Sequence, residues 1–135
     1  MKFQTAFVAI LTVYLVNQVL NSFGVYGFFP NIDIPMHFLG GFTMSMLGYA
    51  LYQKGIKKQK LPEWFAYLFI VSFGLFIGVF WEIHEWILDH TIHTWRHVAF
   101  SQSSNDDTMK DLLDDWLGAS VSYLTFRKSK IQKQP

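Results

Sequence analysis

The sequence predicts an all-α integral membrane protein, a four-helix bundle with its N and C termini cytoplasmic. Three observations predict it: four stretches long enough to cross a bilayer, lysines and arginines gathered in alternate short loops, and small or ionisable residues recurring at helical spacing. With 135 residues the chain has the length of one domain, and residues 1–135 are read as a single transmembrane domain.

A hydrocarbon core of roughly 30 Å needs about 20 helical residues. Residues 3–23 supply them with no charge at all. This run follows Met1 and Lys2 as a signal peptide would, but it is too long for an h-region and no small-x-small site follows it, so it is read as a retained helix. Residues 34–53 are the second span, opening beside Asp33 with Pro35 in the first turn, where a missing N–H has no helical partner to lose. Residues 64–88 are the third, introduced by Pro62 and Glu63 and uncharged from Phe65 to Trp81. Residues 107–126 are the fourth and least hydrophobic, with Asp111, Asp114 and Asp115 in the first half and an apolar, small-residue-rich second half. Residues 54–63 form a basic loop and residues 127–135 a basic tail. A soluble helical bundle is the competing reading; it would give the first and third segments regular polar faces, which they lack.

Composition excludes several classes of function. With no cysteine there is neither a disulfide framework nor a thiolate zinc site. Eleven Lys/Arg against ten Asp/Glu leave a net charge of +1, so no basic excess draws the chain to nucleic acid. The mean hydropathy of +0.20 is modest for a membrane protein, yet the charged residues fall in a few blocks separated by long apolar runs. Nine of the eleven basic residues, Lys2, Lys54, Lys57, Lys58, Lys60, Arg127, Lys128, Lys130 and Lys133, fall on one side of a four-helix zigzag; Arg96 and Lys110 fall on the other. By the positive-inside rule the first side is cytoplasmic. The expected location is the cell membrane, multi-pass.

The acids gather at the opposite end. Asp33, Glu82, Glu85, Asp89, Asp106, Asp107, Asp111, Asp114 and Asp115 all reach the outer leaflet in this topology, and His37, His84, His90, His93 and His97 share that half. Residues three and four apart share a helix face. One stripe is Asp33, His37, Gly40, Gly41, Met44 and Gly48; the next is Gly74, Gly78, Glu82, Glu85 and Asp89; the last is Asp107, Asp111, Asp114, Gly118, Ser122 and Thr125, with Asp115 at its edge. Small residues let helices approach closely, and ionisable side chains turn away from lipid, so the stripes are expected to converge. Carboxylates brought together must be protonated, paired with His37, or neutralised by a bound cation.

Carboxylates with one imidazole and no thiol suit Mg, Mn, Ca or Zn. The expected ligands are His37, Glu82, Glu85, Asp111 and Asp114, with Asp33 and Asp107 beside them. The plainer reading of such acids is helix capping, which fits Asp33, Asp106 and Asp107 at helix starts. It fits Glu82 and Glu85 badly, since they lie toward a helix C-terminus. His90, His93 and His97 read as an exposed amphipathic segment anchored by Trp86 and Trp95, and His84 points away from the Glu82 and Glu85 face. Trp64, Tyr67, Phe80, Trp81 and Trp116 read as lipid-facing or belt residues. Residues 101–105 form a polar loop with no phosphate cradle.

The segments Asp33-Ile34-Pro35-Met36-His37-Phe38, Trp81-Glu82-Ile83-His84-Glu85-Trp86 and Asp107-Thr108-Met109-Lys110-Asp111-Leu112-Leu113-Asp114-Asp115-Trp116-Leu117-Gly118 together resemble the small YjdF-type inner-membrane proteins. More distantly the pattern is similar to the VanZ-like family, named for teicoplanin resistance. In those families a D-x-x-x-H-F opening, an E-x-x-[EQ] element and a D-x-x-x-[DN]-x-x-G element recur in this order. The resemblance covers residues 30–125 and implies roles for Asp33 and His37, for Glu82 and Glu85, and for Asp111, Asp115 and Gly118; Asp107 and Thr108 match the D-T pair of the YjdF-type pattern. It therefore adds Asp115 to a set in which stripe geometry prefers Asp114. The chain departs from the VanZ-like pattern in having Glu85 for Gln and Asp115 for Asn, and in lacking an Arg before the last element.

Three functions are compatible with these features. One is a non-catalytic membrane protein whose cluster binds a divalent cation or a lipid or cell-wall-precursor headgroup, in an accessory or resistance-type role. Another is a metal-dependent membrane hydrolase or transferase acting on a phospholipid or polyprenyl-phosphate headgroup, with Glu82 or Glu85 as the catalytic base. The third is transport or proton relay, against which the inner half of each stripe holds only Gly, Met, Ser and Thr.

Overall fold

A computed structural model describes residues 1–59, 61–93 and 104–128 of the chain, which contain helices and no strand. Helix α1 runs Phe3–Ser22, and α2 is a single turn, Val25–Phe28, followed by a 3₁₀ turn at Pro30–Ile32. Helix α3 is Asp33–Gly55 and is followed by a 3₁₀ turn at Lys57–Gln59. Helix α4, Glu63–Leu88, continues into a π-helical turn at Asp89–His93, and α5 is Asn105–Lys128. The four long helices thus lie within two residues of the expected bounds at each end. Neither α2 nor the π turn was expected.

Local chemistry accounts for the boundaries. Helix α1 stops at Gly24, whose φ of +66° is a left-handed conformation that side-chain-bearing residues rarely adopt. Asp33 and Glu63 stand in the first turns of α3 and α4, where the helix dipole favours acids, and Lys54 stands in the last turn of α3. Helix α5 begins earlier than expected because the Ser104 hydroxyl accepts a hydrogen bond from the Asp107 N–H at 3.2 Å, an N-cap just ahead of the first-turn acids Asp106 and Asp107.

Helix α3 is central. It packs on α1, α4 and α5, and α4 and α5 also pack on each other. The α3–α5 seam depends on glycine: a Cβ at Gly41 would fall on the Asp115 backbone, and one at Gly118 on the Phe38 carbonyl. A Cβ at Gly74 would meet Ala119 Cβ at 3.0 Å. Toward the C-terminal ends of α3 and α5 and the start of α4 lies the apolar core of Tyr49, Tyr52, Ile70, Val71, Ala119 and Tyr123. Tyr49 donates to the Phe126 carbonyl at 3.2 Å, Arg127 pairs with Glu63 at 3.1 Å, and the Met1 amino group donates to Gln53 Oε1 at 2.9 Å.

Among the described residues, two helices, α1 and the α4 helix through Thr91, are long and apolar enough by themselves to cross a membrane. Only 6% of the apolar window of α1 and 28% of that of α4 is buried, so neither is the enclosed core helix of a soluble fold. Phe7, Val8 and Val19 on α1, and Trp64, Phe76 and Phe80 on α4, face outward. Helices α3 and α5 carry the polar stripes and have lower apolarity. The opposite end of the molecule, where α3 and α5 begin and α4 finishes, holds His37 and the carboxylates around it.

Candidate functional site

His37 is the hub of that end. It sits one turn into α3 and is only 6% exposed. Its Nε2 lies 3.5 Å from Asp33 Oδ1, 3.9 Å from Glu82 Oε1 and 3.8 Å from Asp111 Oδ2, while its Nδ1 lies 3.6 Å from Asp115 Oδ2. Three helices supply these groups: Asp33 and His37 at i, i+4 on α3, Glu82 on α4, and Asp111 and Asp115 at i, i+4 on α5. Glu82, Asp111 and Asp115 are buried, and Asp33 lies at the rim.

Glycine positions the carboxylates. A Cβ on Gly78 would collide with the Asp115 carboxylate, so the missing side chain is the slot in which that carboxylate lies. Gly40 faces the same group, with Asp115 Oδ1 3.5 Å from where its Cβ would be. Asp115 Oδ2 is enclosed without a partner at hydrogen-bond distance among the described residues. Buried acceptors are ordinarily satisfied, and an unsatisfied charged oxygen costs more than a neutral one. One donor atom each from Asp33, His37 and Asp111 lie within 4.8 Å of one another, and the same holds for His37, Glu82 and Glu85. Either triad is a donor set that could hold a metal ion, and His37 belongs to both.

Three further residues shape the site and were not assigned to it on sequence grounds. Trp81 is half-buried and donates its indole N–H to Glu85 Oε1 at 2.9 Å, where a lipid-facing or belt position was expected. The i, i+4 spacing of Trp81 and Glu85 was the available signal. Lys110 brings its ammonium to 2.8 Å from Asp107 Oδ1, 3.2 Å from Asp111 Oδ1 and 3.5 Å from Asp33 Oδ2. Tyr26 on α2 donates its phenol to Asn17 Oδ1 of α1. Burial pushes that phenol up to about 12, and the Asp33 and Glu85 carboxylates add to the effect.

The remaining expected residues divide. Asp114 is half-buried, and its enclosed Oδ2 has no hydrogen-bond partner among the described residues. The carboxylate that meets His37 Nδ1 is that of Asp115. Asp107 joins the site through Lys110, Asp106 is exposed, and Asp89 is buried on the π turn. His84 is exposed with its ring 5.3 Å from that of Trp81, and exposed His90 has its ring 4.4 Å from that of Trp86. The side chain of His93, together with Trp95, Arg96, His97 and residues 101–103, lies outside the described residues, as do Lys60, Lys130 and Lys133.

The family described as predicted membrane protein (DUF2238), that of the YjdF-type resemblance, matches residues 1–130. The VanZ-like resemblance rests on the motifs alone. An uncharacterized protein of Thermotoga maritima is 31% identical over 117 residues, which is 84% of this chain, and the chain spans 56% of that relative's length. No solved structure matches.

Proposed function

Because the chain belongs to the DUF2238 family of predicted membrane proteins, we propose that it is a four-span bundle whose carboxylate and imidazole cluster binds a divalent cation at the outer face. Helices α3 and α5, of 23 and 24 residues, are each about 35 Å long, enough to cross alongside α1 and α4. Their polar residues turn toward the cluster, which lowers their average hydropathy without exposing charge to lipid.

The observation that carries the cation reading is His37, buried, with four carboxylates from three helices within 4 Å of its two ring nitrogens. The His37 imidazole and the Lys110 ammonium carry fewer charges than the carboxylates gathered around them, of which Glu82, Asp111 and Asp115 are buried. A divalent ion accepting oxygen and imidazole ligands would balance that charge; Mg, Mn, Ca or Zn has the required chemistry. Asp33, Glu82 and Asp111, on the Nε2 side of His37, are with it the core of this donor set, with Glu85 and Asp114 at its edge; Asp115, on the Nδ1 side, would hold the ring in place. Such an ion, facing the headgroup layer, would bind phosphate oxygens of a phospholipid, a polyprenyl phosphate or another cell-wall precursor in an accessory role.

A catalytic version of this reading rests on one contact. The Trp81 indole orients Glu85 beside the cluster, as a general base must be oriented. Under that version Glu85→Gln abolishes turnover of a lipid phosphate while leaving the ion bound.

Metal analysis of the detergent-purified chain decides the main reading. One equivalent of a divalent ion is expected, and His37→Ala or Asp111→Asn should weaken its binding at least tenfold, about 1.4 kcal/mol. A folded protein that takes up no stoichiometric divalent ion overturns it.

A further inference from the structure

Among the described residues, Lys110 alone of the lysines and arginines has its charged nitrogen within 4 Å of the cluster's carboxylates. Its placement is specific. Asp33 turns Oδ1 toward His37 Nε2 at 3.5 Å and Oδ2 toward Lys110 Nζ at 3.5 Å. Asp111 does the same, with Oδ2 3.8 Å from His37 and Oδ1 3.2 Å from Lys110. The two carboxylates therefore bridge an inner cation-accepting ring and an outer ammonium. The inner group is closed off and the outer one is not: the His37 side chain is 6% exposed and that of Lys110 is 40% exposed.

From this geometry we infer that Lys110 is a tethered counter-ion, holding the Asp33 and Asp111 carboxylates until a divalent cation displaces it. This deepens the cation-site reading and rests on it. An ion seated among Asp33, His37 and Asp111 would share both carboxylates with the ammonium, and two cations on the same pair of carboxylates repel. The ammonium has somewhere to go. It is a hydrated point charge on a flexible four-carbon stem, and its shortest contact is with Asp107, which is outside the donor triads. The arrangement gives Asp33 and Asp111 a cationic partner without an ion, and it makes ion binding at those two carboxylates an exchange of charge.

The consequence is opposite in sign to that of removing a ligand. Mn²⁺ titrated into the detergent-solubilised full chain should bind about tenfold more tightly to Lys110→Met than to the unsubstituted chain. Lys54→Met makes the same change in net charge at the other end of the molecule and should leave the affinity unchanged. Lys110→Gln serves as a second variant should the first fail to fold. Independently, in the unsubstituted chain, Mn²⁺ should raise the acylation of the Lys110 amine, read by mass spectrometry, while Lys54 is acylated equally with and without the ion. Unchanged or weaker Mn²⁺ binding in a folded Lys110 variant, or acylation that Mn²⁺ does not raise, overturns the inference and leaves the cation site standing. Folded proteins that bind no Mn²⁺ with or without Lys110 overturn the site itself, and the inference falls with it.

Discussion

The absence of a single carbon at position 78 makes the space in which the Asp115 carboxylate meets His37. Glycines in this chain differ in what surrounds them, and their substitutions should differ accordingly. Gly118→Ala would drive a methyl group into the Phe38 backbone carbonyl, which has no rotamer to move into, so the α3–α5 seam must open. A loss of about 1 to 3 kcal/mol is expected, read as a lower melting temperature in detergent. Gly55→Ala meets nothing within 4 Å and should be neutral or stabilising by up to about 1 kcal/mol in the same assay. A Gly118→Ala chain as stable as the unsubstituted one would mean that the helices do not approach as described. The ambiguity between Asp114 and Asp115 also belongs to this scale. Both positions neighbour Asp111 on the helix surface, and the stripe running on to Gly118 and Ser122 favours Asp114 over the residue that meets His37 Nδ1. The separation comes from Gly40 and Gly78 on the neighbouring helices, and the register between helices is not written in the spacing along any one of them.

At the scale of elements, the long helices were legible because charge-free runs, proline starts and basic ends mark them locally. Shorter features escaped for equally physical reasons. The α5 cap is Ser104, three residues before Asp107, but Asp106 and Asp107 are themselves favourable at a helix start and mark a later one equally well. Helix α2 is one turn long and has no periodicity to read, yet it carries Tyr26 against Asn17 and near Asp33 and Glu85. That placement has a pH signature. The Tyr26 phenol holds its proton up to about 12, against 10.0 for an ordinary tyrosine, so the folded chain binds that proton more tightly than the unfolded one. The stability involved is present in full below about pH 10 and is lost as pH rises toward about 12. Tyr26→Phe should therefore lose less stability than the unsubstituted chain across that interval in alkaline melts. Identical alkaline losses in the two proteins would show that the phenol is not shielded.

For the whole molecule, the segregation of charge along the chain became a segregation in space. The carboxylates and His37 gather where α3 and α5 begin, and Glu63 with Arg127 lies at the other end. Convergence of the stripes was expected from their small and ionisable residues; the register that brings Asp115 to His37 Nδ1 was not, because it is set by the packing between helices. The proposed orientation predicts which compartment sees each end. The chain has no cysteine, so a single thiol reports without background. Ser104→Cys should react with a membrane-impermeant maleimide on intact cells, and Lys57→Cys only after permeabilisation. The reverse pattern would invert the topology, and labelling of both from outside would remove the four-span arrangement.

The unequal lengths of the two most apolar helices carry one more consequence. Helix α1 has 20 residues and α4 has 26, about 30 Å against about 39 Å. A hydrocarbon layer matched to α1 leaves α4 roughly 9 Å too long, and the excess must be taken up by tilt or by a protruding end. The C-terminal turns of α4 hold Glu82, His84, Glu85 and Trp86, side chains that favour the headgroup region over acyl chains. In the proposed four-span arrangement, bilayer thickness would set how far the carboxylates stand toward water, and a thicker membrane would draw them inward.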